Sequence, residues 1–126
     1  MKRILAALAL ALVASVAAAE GTHTIAGIEW RKTTPAEAHA VSAIGLPPAR
    51  YDHFNPDVEI VRVPASAMGI TCRGLFGGSG RKPPSACTFL GPPRCQIILP
   101  TESPMLAVLL RHEMGHCNGW TGDHPN

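Results

Sequence analysis

Residues 104–119 read P-M-L-A-V-L-L-R-H-E-M-G-H-C-N-G, and the rest of the chain is best read outward from them. Ser103-Pro104 has the composition of a helix start, and Asn118-Gly119 tolerates the left-handed turn that ends one, so the pattern predicts a helix over 104–117. His112 and His116 stand four residues apart, which on a helix places both imidazoles on one face, one turn from each other. Two nitrogens so placed can meet one zinc ion at about 2 Å each. Glu113 follows the first histidine directly and sits beside such an ion. A metal there lowers the pKa of its bound water towards about 7, and a neighbouring carboxylate can then take the proton.

Upstream of this helix the chain is short and loop-rich. Thr34-Pro35-Ala36-Glu37 predicts a first helix, with Thr34 as N-cap, Pro35 as first helical residue and Glu37 as the reciprocal partner of a capping box. Gly45 and Pro47-Pro48 end it near Ile44. Residues 22–28 have strand character. Residues 57–63 alternate in the strand period, with Val58, Ile60 and Arg62 on one face and Glu59, Val61 and Val63 on the other. Residues 73–85 read as a Gly/Pro-rich connector, and residues 95–99 as a short strand ended by Pro100.

The first nineteen residues have a different character. Lys2 and Arg3 precede an apolar run over 4–16, and Ala17-Ala18-Ala19 supplies small residues before a cleavage point at Glu20. This is the layout of a secretory signal peptide, too short for a comfortable membrane span of about 20 residues. The expectation is an exported domain over 20–126, periplasmic or extracellular, with no stable membrane anchor after cleavage. The formal charge of +2 belongs to Lys2 and Arg3, and the remainder balances to near zero. With no basic stripe and little aromatic surface, nucleic-acid binding has no support.

An exported domain this small needs staples. Cys72, Cys87, Cys95 and Cys117 are even in number and lack the paired short spacings of a four-thiolate zinc site, so two disulfides are expected. Cys87–Cys95 with Cys72–Cys117 is the pairing favoured, across a hairpin around Gly91-Pro92-Pro93. Cys72–Cys87 with Cys95–Cys117 is the alternative. The fold expected is a small α+β domain with two helices, a small sheet and a stapled loop, monomeric.

The segment HEMGHCNGWTGDHPN resembles the zincin (HExxH) metallopeptidases. More narrowly, it resembles short exported bacterial proteins that end in HExxHCNGW followed by His-Pro. The likeness covers the last quarter of the chain. It implies a Zn2+ cofactor, a peptide or protein substrate, and a motif helix behind a sheet whose edge strand lines the cleft, a part residues 95–99 could play. Catalytic zinc has three protein ligands and one water. Metzincins bring the third ligand back six residues after the second histidine, where this chain has Gly122. His124 is the candidate favoured, and Asp123 is the alternative or an orienting partner of a ligand histidine. His23, His39 and His53 have no comparable context, and Trp120 is expected to cap the core. The rival expectation is a non-catalytic secreted module that zinc holds together, in which a fourth protein ligand displaces the water.

Overall fold

The computed structural model describes residues 22–32, 34–40, 44–76 and 84–121. It is an α+β domain with three helices, two small sheets and two disulfides.

A hairpin opens the described chain. Strands β1 (His23–Ile25) and β2 (Ile28–Trp30) pair antiparallel with Ile25 opposite Ile28. The sequence reading had run a single strand through this region. The turn between the strands is Ala26-Gly27, with φ of 49° and 75°. Two successive positive φ values define the tight turn whose twist matches a hairpin, and Gly27 accepts it freely where Ala26 does not.

Helix α1 (Pro35–Ala40) follows, and its capping box forms as expected. The Thr34 amide donates to Glu37 Oε2 at 3.0 Å, and the Glu37 amide donates to Thr34 Oγ1 at 3.3 Å. Arg31 donates to both oxygens of Glu37. Those Arg31 bonds, with the Thr34 amide, hold the Glu37 carboxyl down at about 2.

The main sheet has the order β3-β5-β4. Strand β3 (Glu59–Val63) runs parallel to β5 (Gln96–Pro100), with Glu59 opposite Gln96 and Val63 opposite Pro100. Strand β4 (Cys87–Phe89) pairs antiparallel with the other side of β5. The 95–99 run is therefore the central strand and not the edge the family likeness had it line. Its unbroken Ile97-Ile98-Leu99 is the mark of a strand covered on both faces. Ile97 and Leu99 join Leu109, Leu110 and Met114 of helix α3 (Leu106–Cys117), together with Ile28 and Trp30 of the hairpin. Ile98 points the other way, to Met68 and Cys72 of helix α2 (Met68–Phe76). The alternation read in residues 57–63 sorts the same way: Val58 and Ile60 pack on the α3 side, Val61 and Val63 on the α2 side.

Helix α2 differs from the sequence reading, which began a connector at Arg73. Met68 and Cys72, four residues apart, bury a face on the sheet, and that tertiary contact carries a helix with two glycines, Gly69 and Gly74, in it. Residues 77–83 of the connector lie outside the described residues, as do 1–19 of the expected signal peptide. Helix α3 begins at Leu106, two residues later than expected, after a turn in which the Met105 amide donates to Ser103 Oγ at 3.1 Å.

The disulfides are Cys72–Cys87 and Cys95–Cys117, with Cα separations of 6.0 and 5.7 Å. The favoured pairing of Cys87 with Cys95 is thus corrected, and the strand register supplies the reason. Cys87 stands opposite Ile98 and faces α2, whereas Cys95 lies beyond the paired ladder and packs on the α3 side. The two thiols belong to opposite layers. Two disulfides in so small a domain suit an oxidising compartment, and no described helix is long and apolar enough to cross a membrane.

Candidate metal centre

Helix α3 brings His112 and His116 together as the four-residue spacing requires. Their Nε2 atoms lie 3.2 Å apart. Each ring is oriented through its other nitrogen. His112 Nδ1 lies 2.9 Å from the carbonyl oxygen of Gly45, and His116 Nδ1 lies 2.7 Å from that of Trp120. A carbonyl oxygen only accepts, so both Nδ1 atoms carry the hydrogen. In the neutral rings, both Nε2 atoms then present lone pairs to each other. With both Nδ1 atoms donating, neither neutral ring donates to the other across this contact, and a cation, a proton or a metal ion, is one partner that both Nε2 atoms could share. Two zinc–nitrogen bonds of 2.0–2.1 Å near the tetrahedral angle would separate the nitrogens by about 3.3 Å. The pair therefore fits two positions of a zinc site, with the outer ring nitrogens held as ligand histidines usually are.

The third ligand is a different matter. Asp123 and His124 lie outside the described residues. Among the described residues, no group of three His, Cys, Asp or Glu side chains is placed to hold a metal.

Four consecutive residues after His116 each have a structural task. Cys117 is bonded to Cys95 at the start of β5. Asn118 donates from Nδ2 to the carbonyls of Tyr51 and His53, both at 2.8 Å, and accepts from Asn55 Nδ2 at 3.1 Å. Gly119 takes φ of 106°. Its amide bonds to the His116 carbonyl and the Trp120 amide to the Gly115 carbonyl, both at 3.0 Å, which is the Schellman closure of a helix. That closure delivers Trp120. Its carbonyl reaches His116 Nδ1, and its indole stacks on the His116 ring at 4.7 Å and 5° while meeting His112 edge-on at 5.0 Å. Trp120 is buried and packs against the histidine pair.

Residues 45–55 form a strap along α3, which the sequence reading had left as a helix end and a turn. Gly45 supplies the acceptor for His112. Pro47 lies against Gly115, where an added Cβ would stand 2.6 Å from Pro47 Cβ and 3.2 Å from Trp120 Cε3. Only glycine between the two histidines lets the strap approach this closely. Asp52, buried, accepts from Arg111 Nε at 2.7 Å, forms a second bond to the same guanidinium, and accepts from Lys32 Nζ at 3.1 Å. Burial would raise the Asp52 carboxyl, but the bonds from Arg111 and Lys32 outweigh it and hold the pKa below the usual value. Arg111, which helical geometry turns from the histidine pair, thus anchors the strap. Asn55 closes it, its amide meeting Met114 Sδ at 3.2 Å.

Glu113 is 6% exposed. Burial pushes its carboxyl up to about 7, against the lowering effect of the Thr88 hydroxyl, which donates to Oε2. Thr88 lies on β4, one of the two edge strands of the main sheet, on the face turned to α3, and no motif in the sequence pointed to it. Of the remaining histidines, His39 is exposed on α1, His23 stacks on Phe54 at 4.2 Å, and His53 belongs to the strap. None of the three approaches the pair among the described contacts.

Comparison with protein-family descriptions, with characterised proteins and with solved structures finds no match to this chain.

Proposed function

We propose that this chain is an exported zinc-dependent hydrolase acting on amide bonds of peptides. One observation carries the reading: two helical histidines whose Nδ1 atoms are both committed to carbonyls, leaving Nε2 atoms 3.2 Å apart and facing. A structural role for the histidines would not require both rings to turn their lone pairs onto one point. His124 completes the ligand set in this proposal, with Asp123 as its alternative or as the partner that fixes a ligand ring.

Zinc, when bound, would polarise the substrate carbonyl and acidify a water molecule. Glu113 follows His112 and precedes His116 by one helical turn, so its carboxyl lies on the same flank of α3. It acts as the general base, and later returns the proton to the leaving amine. Thr88 and β4 form the wall beside it, and the edge of β4 not paired with β5 is where an extended substrate would lie. Export explains the disulfides, and the expected signal peptide supplies the route.

The test is metal analysis of the exported protein together with Glu113→Gln. The reading requires about one zinc per chain, lost in His112→Ala and in His116→Ala. Glu113→Gln should retain the zinc and lose hydrolysis by roughly a hundred- to ten-thousand-fold. An active Glu113→Gln protein would defeat the mechanism. A zinc-loaded wild type that cleaves nothing would favour the rival, a secreted module that zinc merely holds together.

A further inference from the structure

The Glu113 carboxyl is treated unequally by its surroundings. Oε2 accepts from Thr88 Oγ1 at 2.5 Å. Among the described residues no hydrogen bond to Oε1 accompanies the one to Oε2. Within the described residues the hydroxyl thus singles out one of the two carboxyl oxygens. Thr88 Oγ1 also lies 3.4 Å from the Glu113 main-chain oxygen. A hydroxyl has one hydrogen, and the much shorter contact identifies the carboxylate as its acceptor.

The fold explains why Thr88 can do this. Cys87 and Phe89 point to the α2 layer, where Cys87 is fixed by its disulfide to Cys72. Alternation along β4 then turns Thr88 to the α3 layer. The ladder to β5 sets its height, with Thr88 opposite Ile97. A threonine here is stiff at χ1, so its hydroxyl is a fixed point. Glu113 by contrast is long and would sample several rotamers.

We propose that Thr88 is a positioning residue for Glu113: its hydroxyl holds Oε2 so that Oε1 alone receives the proton of the attacking water. The inference rests on the hydrolase reading above. In the step concerned, an O–H bond of water breaks, an O–H bond to Oε1 forms, and the electron pair left on the water oxygen makes the new bond to the carbonyl carbon while the C=O π pair moves onto the carbonyl oxygen. Thr88 itself exchanges nothing.

Thr88→Val keeps the shape and removes the donor, and Thr88→Ser restores the donor. Both variants, Glu113→Gln and the wild type are assayed with zinc on a mixture of fluorescence-quenched peptides with randomised residues. Zinc affinity is measured by competition with a chromophoric chelator. The Glu113 carboxyl band is followed by 13C-edited infrared spectroscopy on zinc-free protein. Thr88→Val should bind zinc as the wild type does and keep KM, while kcat falls about ten- to a hundredfold, the scale of a misplaced catalytic group. Its carboxyl band should shift from the wild-type position. Thr88→Ser should return both kcat and band.

Wild-type kcat in Thr88→Val with Glu113→Gln inactive would overturn the positioning role and leave the hydrolase reading standing. An unshifted band would overturn the contact itself. A wild type that cleaves no peptide would overturn the hydrolase reading and the role assigned to Thr88 with it.

Discussion

Gly115 is where a single methyl group should act on both fold and site. An added Cβ would stand 2.6 Å from Pro47 Cβ and 3.1 Å from Pro47 Cγ. Pro47 cannot swing aside as a flexible side chain would, because its ring is fused to the backbone. The strap must therefore shift at residues 45–48. Helix propensity alone would favour Ala over Gly by about 0.8–1.0 kcal/mol. Overpacking of a tight contact costs about 1–3 kcal/mol, and a contact this short with a rigid partner belongs to the upper part of that range. Net destabilisation of about 1–2 kcal/mol follows. The shift also carries Gly45 away from His112, whose Nδ1 relies on its carbonyl at 2.9 Å. Loss of such an orienting bond costs about 10- to 100-fold in metal affinity, or about 1.4–2.7 kcal/mol. The assay is urea denaturation of the zinc-free protein, paired with zinc titration against a competing chelator. Gly91→Ala, with nothing within 4 Å of its added Cβ, is the control. If Gly115→Ala leaves both stability and zinc affinity at wild-type values, the close packing of strap and helix, and its link to the metal, are refuted.

Three further outcomes are expected. Glu113 should make the metal-free protein less stable as pH rises. Its folded pKa of about 7 exceeds the ordinary 4.5, so its contribution is full below pH 4.5 and is lost as pH climbs through about 7. The loss amounts to about 3 kcal/mol, and denaturation curves at pH 4.5 and 7.5 should show it in wild type and not in Glu113→Gln; parallel curves would contradict it. Asp52→Ala should destabilise the fold by about 3–5 kcal/mol, because it leaves Arg111 buried without its carboxylate; a change under 1 kcal/mol on chemical denaturation would show that the ion pair is not holding the strap. His124→Ala should strip zinc from the protein while Asp123→Ala weakens it about 10- to 100-fold, as chelator competition would read; the reverse ranking would exchange their roles.

What could be read in the sequence was what depends on neighbours along the chain. The capping box of Thr34 and Glu37 involves residues three apart and forms as read. The facing of His112 and His116 follows from the helical repeat, and the stop at Gly119 from the left-handed φ that glycine permits. The two-sided alternation of residues 57–63 depends only on the strand period. Cysteine number announced two staples.

Distance along the chain hid the rest. Which cysteines pair depends on which layer each faces, and that was settled when β4 joined β5 with Cys87 opposite Ile98. The central place of β5 depends on a parallel partner, β3, more than thirty residues earlier. Thr88 reaches Glu113 across 25 positions and Gly45 reaches His112 across 67. Neither is marked by composition, since one acts through a common hydroxyl and the other through a backbone carbonyl that every residue carries. The histidine spacing was enough to bring two imidazoles to one face of a helix. Turning both Nε2 atoms onto one point required acceptors for both Nδ1 atoms. The helix end supplied one through Trp120, and only the packing of residues 45–55 against Gly115 supplied the other.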